Sequence, residues 1–232
     1  MSWADEIVVV DSESTDATRE IAAECGARVI IHPWPGFAEQ KQFAAEVAEY
    51  EWIFSLDADE RLSDELRNSI EELRAAEESQ LADGYSIARR AFYMGRWIRG
   101  GGWYPDRQLR LYRKSRGRWL GPHIHESVKM DEGARVEILS GDLLHYTTDN
   151  PAEHQRMIEE RYAPLGAKKM FEQGKHVSSF KVATIGPATF IRSYFLKGGF
   201  RDGRAGVTIA RMAAYHARRK YEILRKMQTQ KR

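Results

Sequence analysis

Twice within its first sixty residues the chain runs from a short apolar stretch straight into an acid-rich turn. Ile7-Val8-Val9-Val10 leads into Asp11, and Trp52-Ile53-Phe54-Ser55-Leu56 leads into Asp57-Ala58-Asp59-Glu60. Strands that are apolar without alternation are covered on both faces, as in sheets flanked by helices. Helical patterns fill the gaps. One is expected to start near Ser14 or Thr15, turn Ile21, Ala22 and Cys25 inward and close at Gly26. A second strand, Val29-Ile30-Ile31, is followed by a helix from Phe37 to Tyr50 with Phe43, Val47 and Tyr50 facing the core. Ser63 is placed to cap a third helix running to about Ala76, with Asp64 and Glu65 where the dipole favours them. The pattern predicts an α/β domain whose sheet is largely parallel.

Residues 84–146 read differently, as short strands around Tyr85–Ala88, Gln108–Tyr112, Val136–Leu139 and Leu143–His145 between Gly-rich and aromatic loops. They form the mixed-sheet half of the same domain. Asp149-Asn150-Pro151 pairs a capping residue with proline and opens a helical segment, so the expected domains are 1–148 and 149–232. Two sets of seven-residue spacing mark that segment: His154, Arg161 and Lys168, then Arg204, Arg211, Arg218 and Arg225. Each set is expected to form a stripe. Val207, Ala210, Ala214, Ala217, Tyr221 and Leu224 give the second stripe an apolar neighbour face.

The formal charge of +2 conceals an asymmetry. Residues 1–150 carry 18 Lys and Arg against 28 Asp and Glu, whereas residues 151–232 carry 18 against 6. An acidic body with a basic tail points to an anionic partner, nucleic acid or a membrane surface. A single cysteine, Cys25, excludes an internal disulfide and a thiolate metal site. No stretch approaches the roughly 18 apolar residues of a membrane span, and no basic-then-apolar leader opens the chain. The expected location is cytoplasmic, with the basic tail allowing a peripheral place on the inner face of the membrane.

The chemistry sits in the turns. In an extended segment, side chains two apart point the same way, so Asp57 and Asp59 can converge on one hard cation of the Mg²⁺ or Mn²⁺ type. Ordinary turn capping in an acidic chain is the alternative. Ligands of α/β sheets collect at the carboxyl ends of strands, which favours the first reading. Asp11-Ser12-Glu13-Ser14-Thr15-Asp16 likewise offers acceptors and hydroxyls beside a helix N-terminus, suited to ribose hydroxyls or phosphates. Capping there explains one of Ser14 and Thr15, and leaves two aspartates to account for.

These runs, Glu6–Thr18 and Trp52–Glu60, together with Gly102–Arg113, resemble the family-2 glycosyltransferases of GT-A fold. More narrowly, the chain is similar to their bacterial lipopolysaccharide-core β-1,4-glucosyltransferase branch, in which His125-Glu126, His145-Tyr146 and the tail around 193–203 also find counterparts. The resemblance implies a Rossmann-like mixed sheet followed by a helical C-terminal segment. Members of that family open with a further apolar strand and an Asn-Glu turn, so a chain starting at Met1-Ser2-Trp3 is expected to lack the first strand.

The resemblance also implies roles. Asp11, with Asp16 nearby, would hold the nucleoside of a UDP-hexose donor, and Lys41 would neutralise its phosphate. Asp59 would bind the metal, and Asp57 the metal or the ribose. His145 would complete the metal shell or touch the diphosphate. One in-line, inverting displacement needs one base to take the acceptor hydroxyl proton. Asp106 is the first candidate and Glu126, beside His125, the second. Arg110 would meet phosphate, with surface solvation as its alternative. Trp97, Trp103, Tyr104 and Trp119 offer an apolar wall for sugar rings, or simple core packing. The acceptor would be a lipid-linked or core saccharide. Phe190, Tyr194, Phe195 and Phe200 among Arg192, Lys197, Arg201 and Arg204 suit an interfacial helix on anionic lipid, or a helix packed on the body.

Three other readings compete. A nucleic-acid-binding module would use the tail on phosphates, though no recognised motif supports it and no nucleic acid is expected. A zinc hydrolase would use His123, His125 and a carboxylate. A non-catalytic homologue would retain the fold alone.

Overall fold

The computed structural model describes residues 3–121, 126–147 and 150–230. Its elements in chain order are β1 (Val8–Asp11), α1 (Thr18–Glu24), β2 (Arg28–Ile31), α2 (Phe37–Val47), β3 (Trp52–Phe54), β4 (Glu60–Leu62) and α3 (Asp64–Ala75). Then come β5 (Gly84–Tyr93), β6 (Arg96–Trp97), β7 (Asp106–Arg113), β8 (Gly117–Leu120), β9 (Ser127–Met130) and β10 (Val136–Tyr146). The rest is helical: α4 (Pro151–Met157), α5 (Ala163–Glu172), α6 (Ser179–Ile191) and α7 (Gly203–Gln230). The chain forms two compact units. One comprises Met1–Ala88 and Arg107–Leu143, the other Arg89–Asp106 and Leu144–Arg232. Residues 89–106 thus group with the helical tail, because their buried side chains pack on α7.

In the first unit β1 pairs with β2 in parallel, and β3 lies antiparallel to β7 in a sheet of order β3-β7-β5-β10-β4. Its core gathers Leu66 and Ile70 of α3 with Tyr85, Ile87, Leu111, Leu139 and Leu143 of the sheet. Ser63 caps α3 as its sequence predicts, accepting from Leu66 N at 3.2 Å. The same hydroxyl accepts from Asp142 N at 3.0 Å, which ties the helix start to β10. The two short strands expected over 136–145 are one strand, turned at Gly141 with φ +91°. A Cβ there would lie 2.5 Å from Leu66 Cα, so only glycine lets helix and strand approach this closely.

Two helical expectations in this unit are corrected. α1 begins at Thr18 rather than Ser14 or Thr15, and buries none of its residues; Ile21 is 58% exposed and Cys25 is exposed. Seven residues beside a two-stranded sheet are too few to cover a full face. α2 ends at Val47 because Ala48 turns extended, so Tyr50 leaves the helix and is exposed.

In the second unit Asn150 accepts from Ala152 N at 2.9 Å and Pro151 takes the first position of α4. A π turn, Ile158–Tyr162, inserts an extra residue between α4 and α5 and breaks the seven-residue register. His154 is therefore no member of a basic stripe: it packs inward on Tyr93 and Trp103. The second stripe holds, with Arg204, Arg211, Arg218 and Arg225 all exposed along α7 and Ala210 and Leu224 fully buried. Tyr93, Ile98, Ala205 and Ile209 form the core of this unit. Asp202, fully buried, accepts from the backbone N–H of Arg99 and Gly100 at 2.8–3.2 Å. Among the described residues no helix is long and apolar enough to cross a membrane.

Candidate active site

The end of β3 delivers Asp57 into a ring of charge. Arg110 Nη2 donates to Asp57 Oδ2 at 2.8 Å and to Glu60 Oε1 at 2.9 Å, while Lys41 Nζ meets Asp57 Oδ1 at 2.8 Å. The Asp57 amide donates to Glu60 Oε2 at 3.0 Å, and Glu60 N donates back to Asp57 O, so the turn is closed on itself. Burial pushes the Asp57 carboxyl up, but Arg110 and Lys41 outweigh it and hold it down at about 2. Asp57 is therefore ionised throughout the physiological range. Lys41 also reaches Glu126 Oε1 at 3.4 Å and lies 4.8 Å above the Trp119 ring. Arg110 faces the same ring at 5.8 Å, and its side chain is only 3% exposed. Asp59, by contrast, is exposed at the tip of the turn.

Glu60 was legible only as the last letter of an acidic run. Its side chain is fully buried and supplies the second anchor of Arg110. The signal was a carboxylate at the start of β4 and a basic residue on β7, two strands that are not adjacent in the sheet, so nothing in the sequence pairs them.

In the β1–α1 turn both aspartates are absorbed by local bonds, contrary to the expectation that capping would leave them over. Asp11, 5% exposed, accepts from the amide and hydroxyl of Ser14, and those bonds, aided by Arg19 at 3.8 Å, hold its carboxyl below the usual range. Asp16 accepts from Thr18 N at 3.1 Å and from the Thr18 hydroxyl, and is lowered by them. Beside this turn Gln40 bridges Ser12 at 2.9 Å and His32 at 2.8 Å, a contact between three residues that sequence reading missed.

The second unit holds a cavity of about 280 Å³ lined by Arg89, Ala91, Gly102, Trp103, Asp106, His145 and Thr147. Arg89 fixes Asp106 there through two bonds to Oδ2, at 2.6 and 3.0 Å. Of the four aromatic candidates Trp103 alone lines this cavity. Trp97 packs on Phe92 and Tyr146, Tyr104 lies under Arg90, and Trp119 is buried with Tyr112 and Val128 in the first unit. His123 and His125 lie outside the described residues.

Among the described residues no group of three or more His, Cys, Asp or Glu side chains is placed to hold a metal ion. A magnesium-like cation bound together with a diphosphate needs only one or two carboxylates, the remaining sites being filled by phosphate and water. The exposed Asp59 beside an ionised Asp57 fits that requirement.

An α/β body with an acidic turn just past the carboxyl end of β3, followed by helices, defines a GT-A type of transferase fold. The model of the family "Glycosyl transferase family 2" matches residues 4–140, and the chain belongs to that family. It is 36% identical over 223 residues to the lipopolysaccharide core biosynthesis glycosyltransferase LpsC of Rhizobium meliloti (strain 1021), covering 91% of this chain and 79% of that protein. It is 33% identical to the uncharacterized glycosyltransferase RT0209 of Rickettsia typhi, over 85% of this chain and 72% of that one. Among solved structures, the S. aureus TarS 1–349 complex with UDP-GlcNAc aligns with 98% of this chain and 83% of its own, at TM-score 0.42 and 12% identity.

Proposed function

We propose that this family-2 glycosyltransferase moves a hexose from a UDP-hexose, glucose being the first choice, with inversion onto a lipid-linked or lipopolysaccharide-core saccharide at an anionic membrane surface. The observation that carries the reading is the turn after β3, where Asp57 is held ionised by Lys41 and Arg110 next to an exposed Asp59. The name of the R. meliloti relative supports the acceptor class, and family membership supports the transfer.

Asp11, fixed by Ser14, takes the nucleoside side of the donor, with Asp16 shaping the same turn. Asp59 holds the divalent cation, with Asp57 as its neighbour or as the ribose ligand. When bound, the cation supplies Lewis-acid stabilisation of the departing diphosphate. Lys41, on a flexible stem, exchanges Asp57 for phosphate when the donor enters. Arg110 is buried and stays with Asp57, as the residue that orients it. In the cavity of the second unit, Asp106 accepts the proton of the acceptor hydroxyl while Trp103 offers an apolar face to the sugar. His145 lines that cavity beside Asp106 and is a candidate donor-contacting residue there. Glu126, tied to Lys41, remains the second candidate for the base.

The test is transfer of label from a radiolabelled UDP-hexose with and without Mn²⁺. The reading expects Asp59→Ala to abolish transfer and chelation to do the same; full activity of Asp59→Ala would sink the metal role. A wild-type chain that binds no nucleotide-sugar, measured by thermal shift, would leave the non-catalytic reading standing.

A further inference from the structure

From Gln173 to Arg201 the chain contains no acidic residue, and it is here that the second unit exposes its largest apolar side chains. Phe180 and Leu196 are 78% and 79% exposed, and Ile191, Phe195 and Phe200 are each more than half exposed. On α6 the spacing of Phe180, Thr184, Pro187 and Ile191 is that of one helix face, and Phe195 follows one turn later in the π turn Arg192–Leu196. Leaving these groups in water forfeits the hydrophobic gain of burying them, and such contiguous exposure marks an interaction surface. Lys181, Arg192, Lys197 and Arg201 are all exposed among them. The acidic residue that ends the run, Asp202, is fully buried and bound to backbone amides, so it offsets none of this surface charge.

We propose that α6, the π turn after it and the turn Gly199–Asp202 form a docking surface for an anionic lipid bilayer. Apolar side chains enter the boundary between headgroups and acyl chains, and the cationic ones lie on the headgroups. An acid-free basic rim fits lipid phosphate and opposes a second copy of itself, which would bring like charge against like. The surface also adjoins the cavity of the same unit. Lys197 accepts through its carbonyl from Gly101 N at 2.9 Å, and its side chain lies across cavity-lining Gly102, where a Cβ would fall 2.7 Å from Nζ. A lipid-bound protein therefore presents the Asp106 cavity next to the bilayer. Only that last step rests on the transferase reading; lipid binding stands apart from it.

The experiment is co-sedimentation with vesicles of phosphatidylcholine alone and of phosphatidylcholine mixed with phosphatidylglycerol. The wild-type chain is expected to pellet with the mixed vesicles, less with neutral ones, and less again as salt is raised. Phe195→Ser combined with Leu196→Ser should weaken binding at least about tenfold, and Lys181→Glu with Arg192→Glu should remove the preference for anionic lipid. All four side chains are exposed, and an unchanged melting temperature will show that the variants fold. Equal pelleting with both vesicle types, or undiminished binding by Phe195→Ser/Leu196→Ser, would overturn the proposal. So would a wild-type dimer that the same pair of substitutions converts to monomer without any vesicle binding. Transfer to a water-soluble saccharide should be unchanged in these variants. Loss of wild-type transfer with vesicle binding intact would count against the transferase reading alone.

Discussion

Arg110 donates to Asp57 across 2.8 Å while keeping almost none of its own side chain in water. A guanidinium that far from solvent acts on its neighbours and not on bulk ligands. Its second anchor, Glu60, is equally buried, and Lys41 on Asp57 brings the second positive charge, so the four groups form one charge-balanced unit past the end of β3. On the proposed reading Arg110 is a positioning residue for Asp57.

Arg110→Met removes the shared cation and takes the guanidinium from the buried Glu60 side chain, which keeps the Asp57 amide. The expected cost is about 3–5 kcal/mol of stability, read from urea unfolding. Arg110→Lys should recover part of it, since an ammonium restores charge but not the planar donor fork. A variant as stable as the wild type would show that Glu60 is neutralised some other way.

The base can be assigned by kinetics. Asp106→Asn should lower kcat by about a hundredfold to ten-thousandfold with donor binding, followed by nucleotide-sugar titration, left intact. Glu126→Gln should act mainly on donor affinity, because Glu126 shares Lys41 with Asp57. The reverse pattern would move the base to Glu126.

Two histidines of the second unit predict an acid-sensitive fold. Burial, with a contribution from His216, lowers His154; burial and then Lys220 lower His216, against a raising bond with the Tyr162 backbone. His154 also faces the Tyr93 hydroxyl, 3.3 Å from Nδ1. Because both folded values lie below the ordinary one, the unfolded chain takes up the protons first. Stability is complete above about pH 6.5 and declines as the pH falls from there toward the folded values. Melting temperatures from pH 8 to about 5 should show that decline, and His154→Gln with His216→Gln should flatten it. An identical slope in the double variant would assign the effect elsewhere.

Gly141→Ala combines a φ of +91° with a collision on the α3 backbone, so it should cost more than about 2 kcal/mol in chemical denaturation. Gly133→Ala is the control: its φ is +80° but nothing lies within 4 Å, and it should cost about 1 kcal/mol. Equal costs would mean that the close approach of α3 and β10 relaxes freely.

What could be read in the sequence was what local chemistry dictates. The strands ending in Asp11 and near Asp57, the Ser63 cap, the Asn150-Pro151 helix start and the arginine stripe of α7 each follow from a few adjacent or periodic residues. What escaped depends on contacts between distant positions. Ile21 has helical spacing yet no face to cover, and Gly141 reads as a strand end until α3 is laid against it. The π turn at 158–162 shifts His154 out of a pattern that looks regular in one dimension. At the candidate site the carboxylates were visible as residue types, whereas the pairing of Arg110 with Glu60 and the clasp of Arg89 on Asp106 were not.

The bonds from Asp202 to the amides of Arg99 and Gly100 make the loop that carries Gly102 and Trp103 a dependant of the C-terminal region. Ser193, donating to Gly101 O at 2.9 Å, adds a second tie. The tail is thus no interchangeable cassette. A chimera that took its last helices from a distant relative would inherit a misshapen Asp106 cavity although every side chain lining it had been kept, and the defect would be mistaken for lost chemistry.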